Sequence, residues 1–264
     1  MGLGFGGDVA DYYARFRHGY PPTAVDVIAQ AFNLGPDDLV VDLGCGTGQL
    51  SRPLANRVGT VIGVDPEPDM LALARRQAED EGVPNTVWVL GSDSDVPALA
   101  AALGPHALGA ITIAVAVHWM DRDTLFRAAR PLIRAGGGIA VVTNGTPLWL
   151  QDADWSRTVR GCLERWFGRP LSWSCQTDEA GRRLNRIALR NAGYEVTESI
   201  VSYDAELTIE ALVGGLFSAL PVDQLPSPQR REEFSAMIYS AVGRESVTEH
   251  VDVWLQLGRC TGPS

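Results

Sequence analysis

Three glycines in alternate positions follow a buried apolar run in the stretch VVDLGCGTGQL, which begins at Val40. Glycine lets a backbone turn sharply and pass very close to a bound molecule, so Gly44, Gly46 and Gly48 predict a binding loop. A dinucleotide loop, G-x-G-x-x-G, places its third glycine one residue later than it stands here. The acid Asp42 would repel a pyrophosphate, although it could hold water or an ammonium group. The spacing alone leaves open a dinucleotide, a mononucleotide phosphate or a cofactor without phosphate.

A second acid, Asp65, ends the next predicted strand in VIGVDPEPDML. A carboxylate at that place can accept hydrogen bonds from both hydroxyls of a ribose. NAD enzymes carry an acid at the same place. Asp65 therefore predicts a ribose without choosing between the cofactors.

His118 follows the fourth predicted strand, at the edge where open α/β sheets bind their ligands. An imidazole titrates at about 6.5 and is suited to accepting a proton near neutral pH, so His118 is the candidate catalytic base. The alternative is a structural histidine that hydrogen-bonds the turn. His18 is a weaker candidate for facing a substrate, and His106 and His250 are expected on the surface.

The sequence VDLGCGTG resembles motif I of class I S-adenosylmethionine-dependent methyltransferases. LGSDSDVPAL resembles the adenine-binding segment of that family, and AVAVHWMDRDTLFRAARPLIRAGGGIAVV resembles its fourth strand, the following helix and its fifth strand. YYARFRHGYPP resembles the N-terminal stretch of small-molecule members related to trans-aconitate methyltransferases. The resemblance covers about residues 10–145.

The resemblance implies S-adenosyl-L-methionine as the cofactor. It leaves open which of the polar residues after the third strand meets the adenine, and Arg15 or Arg17 could bind the methionine carboxylate or remain a solvated charge. The residues expected to bind the cofactor are Tyr13, Arg17, Asp42, Gly44, Cys45, Gly46, Gly48, Gln49, Asp65, Pro66, Met70, Ser92, Asp93, Ser94 and Ala114.

Aromatic residues are concentrated after the fifth predicted strand. Trp155 and Trp166 stand at helical spacing and are expected to pack a cap onto the core. Side chains near Pro or Gly breaks beside the cleft are better placed to line a pocket. The residues expected to contact the substrate are His18, Tyr20, Trp119, Asn144, Trp149 and Trp173.

Strands alternate with helices over the first two thirds of the chain, which predicts a parallel sheet covered on both faces. The predicted fold is α/β: a doubly wound Rossmann-like sheet, mostly parallel with an antiparallel last strand, plus a helical cap. Four segments are expected: N-terminal lid helices (1–33), the cofactor-binding core (34–145), a helical cap or substrate insertion (146–192) and the C-terminal completion of the sheet (193–264).

Some local boundaries are less regular in the sequence. No clear apolar periodicity precedes Pro21, although the first segment is expected to form a lid. A helix is predicted over 121–134, followed by a turn at the AGGG run and a fifth strand over 139–143.

Composition narrows the function. The chain of 264 residues has a formal net charge of −10, and all of its bases are arginines. The absence of lysine excludes a lysine Schiff base and a P-loop lysine, and the acidity argues against nucleic acid as a partner. No apolar run reaches the ~18 residues that a membrane span needs, and no secretory signal is expected. Four separated cysteines predict reduced thiols in a cytoplasmic protein without a metal site.

The predicted function is methyl transfer to a hydroxyl, amine or carbon of a small molecule, in bacterial secondary metabolism, by a monomer or homodimer. No NPPY-like motif follows the fourth strand, which argues against methylation of planar amino groups. Two alternatives remain at this point. One is an NAD(P)-dependent oxidoreductase, and the other is a methyltransferase fold used as a scaffold or a cyclisation catalyst.

Overall fold

The computed structural model describes residues 4–171 and 177–261. The seven strands are β1 (Leu39–Leu43), β2 (Thr60–Asp65), β3 (Thr86–Leu90), β4 (Leu108–Ala114), β5 (Ile133–Asn144), β6 (Glu195–Thr208) and β7 (Ser246–Arg259). The helices are α1 (Asp8–Phe16), α2 (Pro22–Ala31), α3 (Ser51–Ala55), α4 (Pro68–Asp80), α5 (Val96–Leu103), α6 (Arg122–Ala129), α7 (Asp154–Phe167), α8 (Glu179–Asn191), α9 (Ile209–Phe217) and α10 (Pro228–Val242).

The strands form one sheet in the order β3-β2-β1-β4-β5-β7-β6. Strands β1 to β5 are parallel, whereas β7 runs antiparallel to both β5 and β6. The chain winds outward from β1 to β3 and then returns to the other side of β1 with β4. Open sheets bind ligands at such a switch point, at the carboxyl ends of the strands. The predicted fold class is confirmed.

Both faces of the sheet are buried, because alternate residues of the central strands enter different cores. Val41 and Ile111 face α5, α6 and α8, whereas Val40 and Ala110 face α2 and α3. This two-sided burial explains why the central strands are apolar runs rather than alternating patterns. It also holds the carboxyl ends of β1 and β4 rigidly side by side.

Two local predictions are wrong. The predicted helix over 121–134 ends at Ala129 and is followed by a single 3-10 turn over Arg130–Leu132, because Pro131 has no backbone N–H to continue the α-helical hydrogen bonds. The AGGG run is not a turn but lies within β5. A Cβ on Gly138 would collide with the carbonyl oxygen of Gly258 on β7, so these glycines let β5 pass between its neighbours.

A helical cap covers the carboxyl edge of the sheet. Helix α7 packs with α9 and α10 in a third hydrophobic core, so the segment after residue 193 contributes two helices to the cap as well as strands to the sheet. Trp155 is buried in this core and its indole N–H donates to the carbonyl of Thr248 (3.1 Å). Trp166 packs edge-on against Phe234, with the ring centroids 5.2 Å apart.

Helix α1 lies between the cap and the core, although the sequence shows no clear periodicity there. Its Phe16 ring sits directly on Gly214 of α9, where any Cβ would clash. The residues before α1 are tied to the start of α4: the N–H of Gly7 donates to Asp69 Oδ2 (2.7 Å), and that of Gly4 donates to Glu67 Oε1 (2.9 Å). The N-terminal segment is thus fixed across the carboxyl edge at both ends.

Candidate functional site

A cavity of about 590 Å³ lies over the carboxyl ends of β1, β4 and β5, beneath α1 and the cap. Its volume is within the range of small-molecule sites. The predicted site residues that line it are Tyr13, Arg17, His18, Tyr20, Asp42, Gly44, Cys45, Gln49, Ala114, His118, Trp119, Asn144 and Trp149. Residues from segments more than 100 positions apart therefore share one wall.

Other predicted residues are not part of that wall. Met70 packs under α1 against Ala10 and Leu73, and it does not line the cavity. Trp173 lies outside the described residues. The remaining predicted cofactor residues that do not line the cavity are Gly46, Gly48, Asp65, Pro66, Ser92, Asp93 and Ser94.

The three loop glycines have different roles, although each has a positive φ (68°, 54° and 78° for Gly44, Gly46 and Gly48). A Cβ on Gly44 would stand 2.5 Å from the Cβ of Ala116, and one on Gly48 would stand 2.6 Å from the Trp88 ring. At Gly46 the nearest atom would be a Tyr13 ring carbon at 3.6 Å. The outer glycines serve internal packing, and Gly46 leaves open backbone beneath Tyr13. Trp88 on β3 packs against this loop, and it is not among the site residues that the sequence predicts.

Asp42 fixes the loop from below. One carboxylate oxygen accepts the hydroxyl of Ser51 (2.5 Å) and the other accepts that of Thr112 (2.6 Å). Burial outweighs these hydrogen bonds and raises the pKa of Asp42 to about 6. Both oxygens of Asp42 thus join β1 to α3 and β4, and the expectation that Asp42 also holds water or an ammonium group stays a prediction.

Asp65 stands at the end of β2, beside the glycine loop. It accepts the N–H of Gly46 (2.8 Å) and that of Glu67 (2.9 Å), one on each oxygen. Burial raises its pKa, and the two backbone hydrogen bonds oppose that shift. Each carboxylate oxygen keeps a further lone pair, so Asp65 can still accept a ribose hydroxyl.

The segment after β3 is held by its own hydrogen bonds. The N–H of Ser92 donates to Asp95 Oδ2 (2.8 Å), and the N–H of Ser94 donates to the hydroxyl of Ser92 (3.3 Å). The carboxylate of Asp93 accepts the N–H of Asp121 (3.3 Å). Ser92 therefore caps the local turn, and Asp93 joins this segment to the start of α6.

His118 lies on the cavity wall in the turn after β4, with its ring centroid 5.1 Å from that of Trp119. Burial, and then the positive charge of Arg122, lower the pKa of His118. The imidazole is therefore neutral at pH 7 and able to accept a proton. His106 and His250 are exposed, as the sequence predicts.

A second imidazole, His18, is held against a buried acid. Its Nε2 is 2.9 Å from Glu249 Oε2, and the side chain of Glu249 is only 5% exposed. The other oxygen of Glu249 accepts the side-chain amide of Gln151 (2.7 Å). The sequence prediction missed Glu249, although a signal was present: it occupies an inward position of β7, between Val247 and Val251.

Two buried polar atoms on the cavity wall have no hydrogen-bond partner within the described part of the chain: Gln49 Nε2, a donor, and Asn144 Oδ1, an acceptor. Buried polar atoms are nearly always paired, so both can serve a bound molecule. Arg17 donates from Nε to the hydroxyl of Ser218 (2.8 Å) and forms no ion pair with a described acid. Arg15, in contrast, is an exposed charge 3.8 Å from Glu210.

Residues 40–137 match the family model described as a methyltransferase domain. This part of the chain is similar to a methyltransferase domain. The matched residues include the glycine loop, Asp65 and strand β4. The resemblance to class I methyltransferases is thereby confirmed for this domain, and the finer likeness to trans-aconitate methyltransferases stays a prediction.

Several relatives share the domain. An uncharacterized methyltransferase of Mycobacterium tuberculosis is 35% identical over 144 residues, which are 54% of this chain and 53% of the relative. An uncharacterized methyltransferase of Schizosaccharomyces pombe is 22% identical over 258 residues, covering 96% and 93% of the two chains. The mycobacterial match spans about half of the relative's length.

Solved structures share the fold. The “Putative Type II Methyltransferase” of Anaeromyxobacter dehalogenans superposes with a TM-score of 0.63 at 20% identity, over 94% of this chain and all of that one. The YcgJ protein of Bacillus subtilis gives 0.55 at 14% identity, over 91% and 99%. The antiparallel β7 between β5 and β6 also differs from the order of the dinucleotide-binding fold, which counts against the oxidoreductase alternative.

Two further features of the described residues are relevant to function. None of their helices combines the length and apolarity that a bilayer crossing requires. No group of three or more His, Cys, Asp or Glu side chains among them is arranged to hold a metal ion.

Proposed function

We propose that the protein transfers the methyl group of S-adenosyl-L-methionine to a small, largely apolar molecule of secondary metabolism. The observation that carries this proposal is a cavity that joins the glycine loop of the methyltransferase domain to the largely apolar underside of the cap. Such a cavity can hold a cofactor at one end and an acceptor at the other.

The donor set fits the cofactor. Asp65 offers lone pairs for the ribose hydroxyls, and the open backbone at Gly46 allows close approach. Gln49 offers an unused N–H and Arg17 an unpaired positive charge, which together suit the methionine carboxylate. When bound, the cofactor supplies an electrophilic methyl group on a sulfonium.

The chain's own residues position the acceptor, limit the access of water and supply a base. Holding a nucleophile in line with the methyl carbon is worth ~7–11 kcal/mol. Helix α1 and the cap lie over the cavity, where they can limit the access of water to the methyl group. An acceptor that carries a proton of high pKa also needs a base, and the two imidazoles on the wall, His118 and His18, are the candidates.

The cavity favours a small acceptor over a polymer. Much of the wall is aromatic or aliphatic, and the chain's net charge of −10 would repel nucleic acid. Tyr20, Trp149 and Leu148 line it beside Asn144, whose free carbonyl oxygen can accept one hydrogen bond from the acceptor.

Calorimetry with S-adenosylhomocysteine tests the cofactor assignment. Asp65→Ala should weaken binding by ~2–5 kcal/mol, which is at least about thirtyfold, because a buried charged hydrogen-bond acceptor is lost. Gly46→Leu should abolish binding, since its side chain would fill the open space under Tyr13. Gly82→Leu is the matched control, because Gly82 has a similar φ (66°) but an open surface position.

The same experiment separates the alternatives. Binding of NADH in place of S-adenosylhomocysteine would make the protein an oxidoreductase. Binding of S-adenosylhomocysteine without methyl transfer to any of a panel of hydroxylated and amino metabolites would support the scaffold or cyclisation alternative. Unchanged affinity in both site variants would overturn the cofactor assignment.

A further inference from the structure

Strand β7 carries the cavity's buried acid to a place beyond the parallel sheet. Asn144, the last residue of β5, pairs with Val253, and residues 246–252 of β7 continue past that point paired only with β6. Glu249 therefore stands over the carboxyl edge, on the β5–β7 side of the cavity. The glycine loop and Asp65 stand on the opposite, β1–β2 side. The two ends of the cavity thus have separate polar groups.

The contact between His18 and Glu249 fixes the tautomer of the imidazole. An ionised carboxylate can only accept hydrogen bonds, so the hydrogen on the His18–Glu249 contact belongs to Nε2. Nδ1 is then the nitrogen with a lone pair. His18 lines the cavity and its side chain is 35% exposed, so a bound molecule can reach it. A carboxylate behind an imidazole stabilises the imidazolium that forms when it takes a proton.

His118 lacks this arrangement. No described carboxylate pairs with it, and the closest charge that acts on its pKa is the cation Arg122. A positive neighbour disfavours the imidazolium, so proton acceptance at His118 is the more costly of the two. Its neighbour Trp119 packs on Phe5, in the segment tied to the start of α4, which is the β1–β2 side.

The charges on the wall indicate which acceptor fits. In the described part of the wall, every carboxylate oxygen of Asp42 and Glu249 already accepts a hydrogen bond from a neighbouring side chain, so no carboxylate oxygen there lacks a partner that an ammonium group would supply. Arg17 is the cation on the wall, and the proposed cofactor carboxylate uses it. A neutral molecule remains. The aromatic rings of Phe16, Tyr20 and Trp149 suit a flat one.

We propose that His18 is the catalytic base, positioned by Glu249, and that the acceptor is a neutral aromatic molecule with a phenolic hydroxyl. This rests on the methyl transfer proposed above. The phenolic O–H proton passes to His18 Nδ1 while the oxygen forms the bond to the methyl carbon and the carbon–sulfur bond breaks, its electron pair returning to sulfur. The products are the methyl ether, S-adenosylhomocysteine and an imidazolium paired with Glu249, which releases its proton to water afterwards.

Turnover of phenol and of the more acidic 4-nitrophenol tests the base. His18→Ala should lower kcat for phenol by about 10²-fold or more, with the affinity for S-adenosylhomocysteine within threefold of the wild type. The loss should be smaller for 4-nitrophenol, which ionises by itself near neutral pH. His250→Gln is the matched control. It also removes an imidazole that contacts a carboxylate, that of Asp204 (2.6 Å), but His250 lies on the exposed face of β7, the strand that carries Glu249.

Glu249→Gln tests whether Glu249 positions His18. The measurement is one that would not change if Glu249 only stabilised the fold. The titratable group that interacts electrostatically with Glu249 is Tyr203 on β6. Tyr20, which follows His18 in the chain, interacts in turn with Tyr203, Tyr13, Arg17 and Asp42. Removing the anionic partner should lower kcat for phenol by about tenfold or more and lower it less for 4-nitrophenol, while the affinity for S-adenosylhomocysteine stays within threefold of the wild type.

An unchanged kcat for phenol in Glu249→Gln, or equal losses for the two phenols, would overturn the positioning role. Equal losses for the two phenols in His18→Ala, or none, would overturn the base. Wild-type protein that binds S-adenosylhomocysteine but methylates no phenol would overturn the acceptor class. Failure to bind S-adenosylhomocysteine would instead overturn the proposed function.

Discussion

Asp42 shows how one buried residue can position a binding loop. It is 1% exposed, and its two hydroxyl partners come from α3 and β4. The carboxylate holds the start of the glycine loop against two neighbouring elements. Because its charge is buried without a cation, the ionised form destabilises the folded state relative to the neutral form.

Asp42→Asn should change how stability depends on pH. A pKa that rises from 3.8 unfolded to about 6 folded means that the folded state binds the proton more tightly, so wild-type stability falls as pH rises through that window. The shift corresponds to about 3 kcal/mol at full ionisation, at 1.36 kcal/mol per pKa unit. Urea unfolding at pH 4 and pH 7 should show the variant gaining on the wild type by up to that amount.

Asp38→Asn provides the opposite sign. The hydrogen bonds from Arg134 lower the pKa of Asp38, so that carboxylate stabilises the fold above its unfolded pKa. The stability deficit of Asp38→Asn should be constant above pH 5 and shrink as pH falls below 4. Parallel pH curves for Asp42→Asn and the wild type would show that the burial of Asp42 does not disfavour its charge.

At the scale of elements, the contact between α1 and α9 holds α1 over the cavity. Helix α1 brings Tyr13 to the glycine loop, and Arg17 follows directly after it. Gly214 of α9 allows this approach because Phe16 occupies the space of its missing side chain. The small residue is therefore required by a neighbouring helix rather than by its own backbone.

Gly214→Ala should destabilise the protein by roughly 1–3 kcal/mol, because the added methyl group forces the Phe16 ring out of a packed position. The displaced α1 should also weaken S-adenosylhomocysteine binding. Gly161→Ala in α7 is the control, since its Cβ would meet only Arg165 at 3.6 Å. That variant should be neutral or gain roughly 0.5–1 kcal/mol from helix propensity. Equal effects of the two substitutions on urea unfolding would contradict close packing at Gly214.

At the scale of the whole molecule, the cavity lies between parts of the chain that pack separately. Its lining includes residues of the core formed with α2 and α3, of the core inside the cap, and of the cluster that α1 forms with α4. A ligand that fills this cavity would contact all three. Its binding should therefore be felt in segments that are distant in sequence.

Hydrogen exchange with and without S-adenosylhomocysteine measures that coupling. Residues 8–20 and the insertion over 146–171 should gain protection when the ligand binds, since both cover the cavity. The start of β6 near Glu195 lies far from the cavity, so its exchange rate serves as an internal reference. Identical exchange of both covering segments in the two states would count against a lid.

The sequence determined by itself whatever depends on neighbours along the chain. The apolar runs of β1 to β5, the helices between them and the glycine loop are predicted because strand pairing, helix periodicity and backbone freedom are local properties. The loop and Asp65 also marked the cofactor end. The absence of lysine limited the chemistry without any structure.

Only the tertiary structure decided the acceptor end. His18 and Glu249 meet across 231 positions, and Asp42 and Thr112 across 70. No local pattern specifies such pairs, because the reversal of β7 and the seating of α1 on α9 place them. The partner of a buried charge is a side chain that the packing of the fold brings within hydrogen-bond distance. The role of an acid or a histidine is for that reason a property of the folded chain.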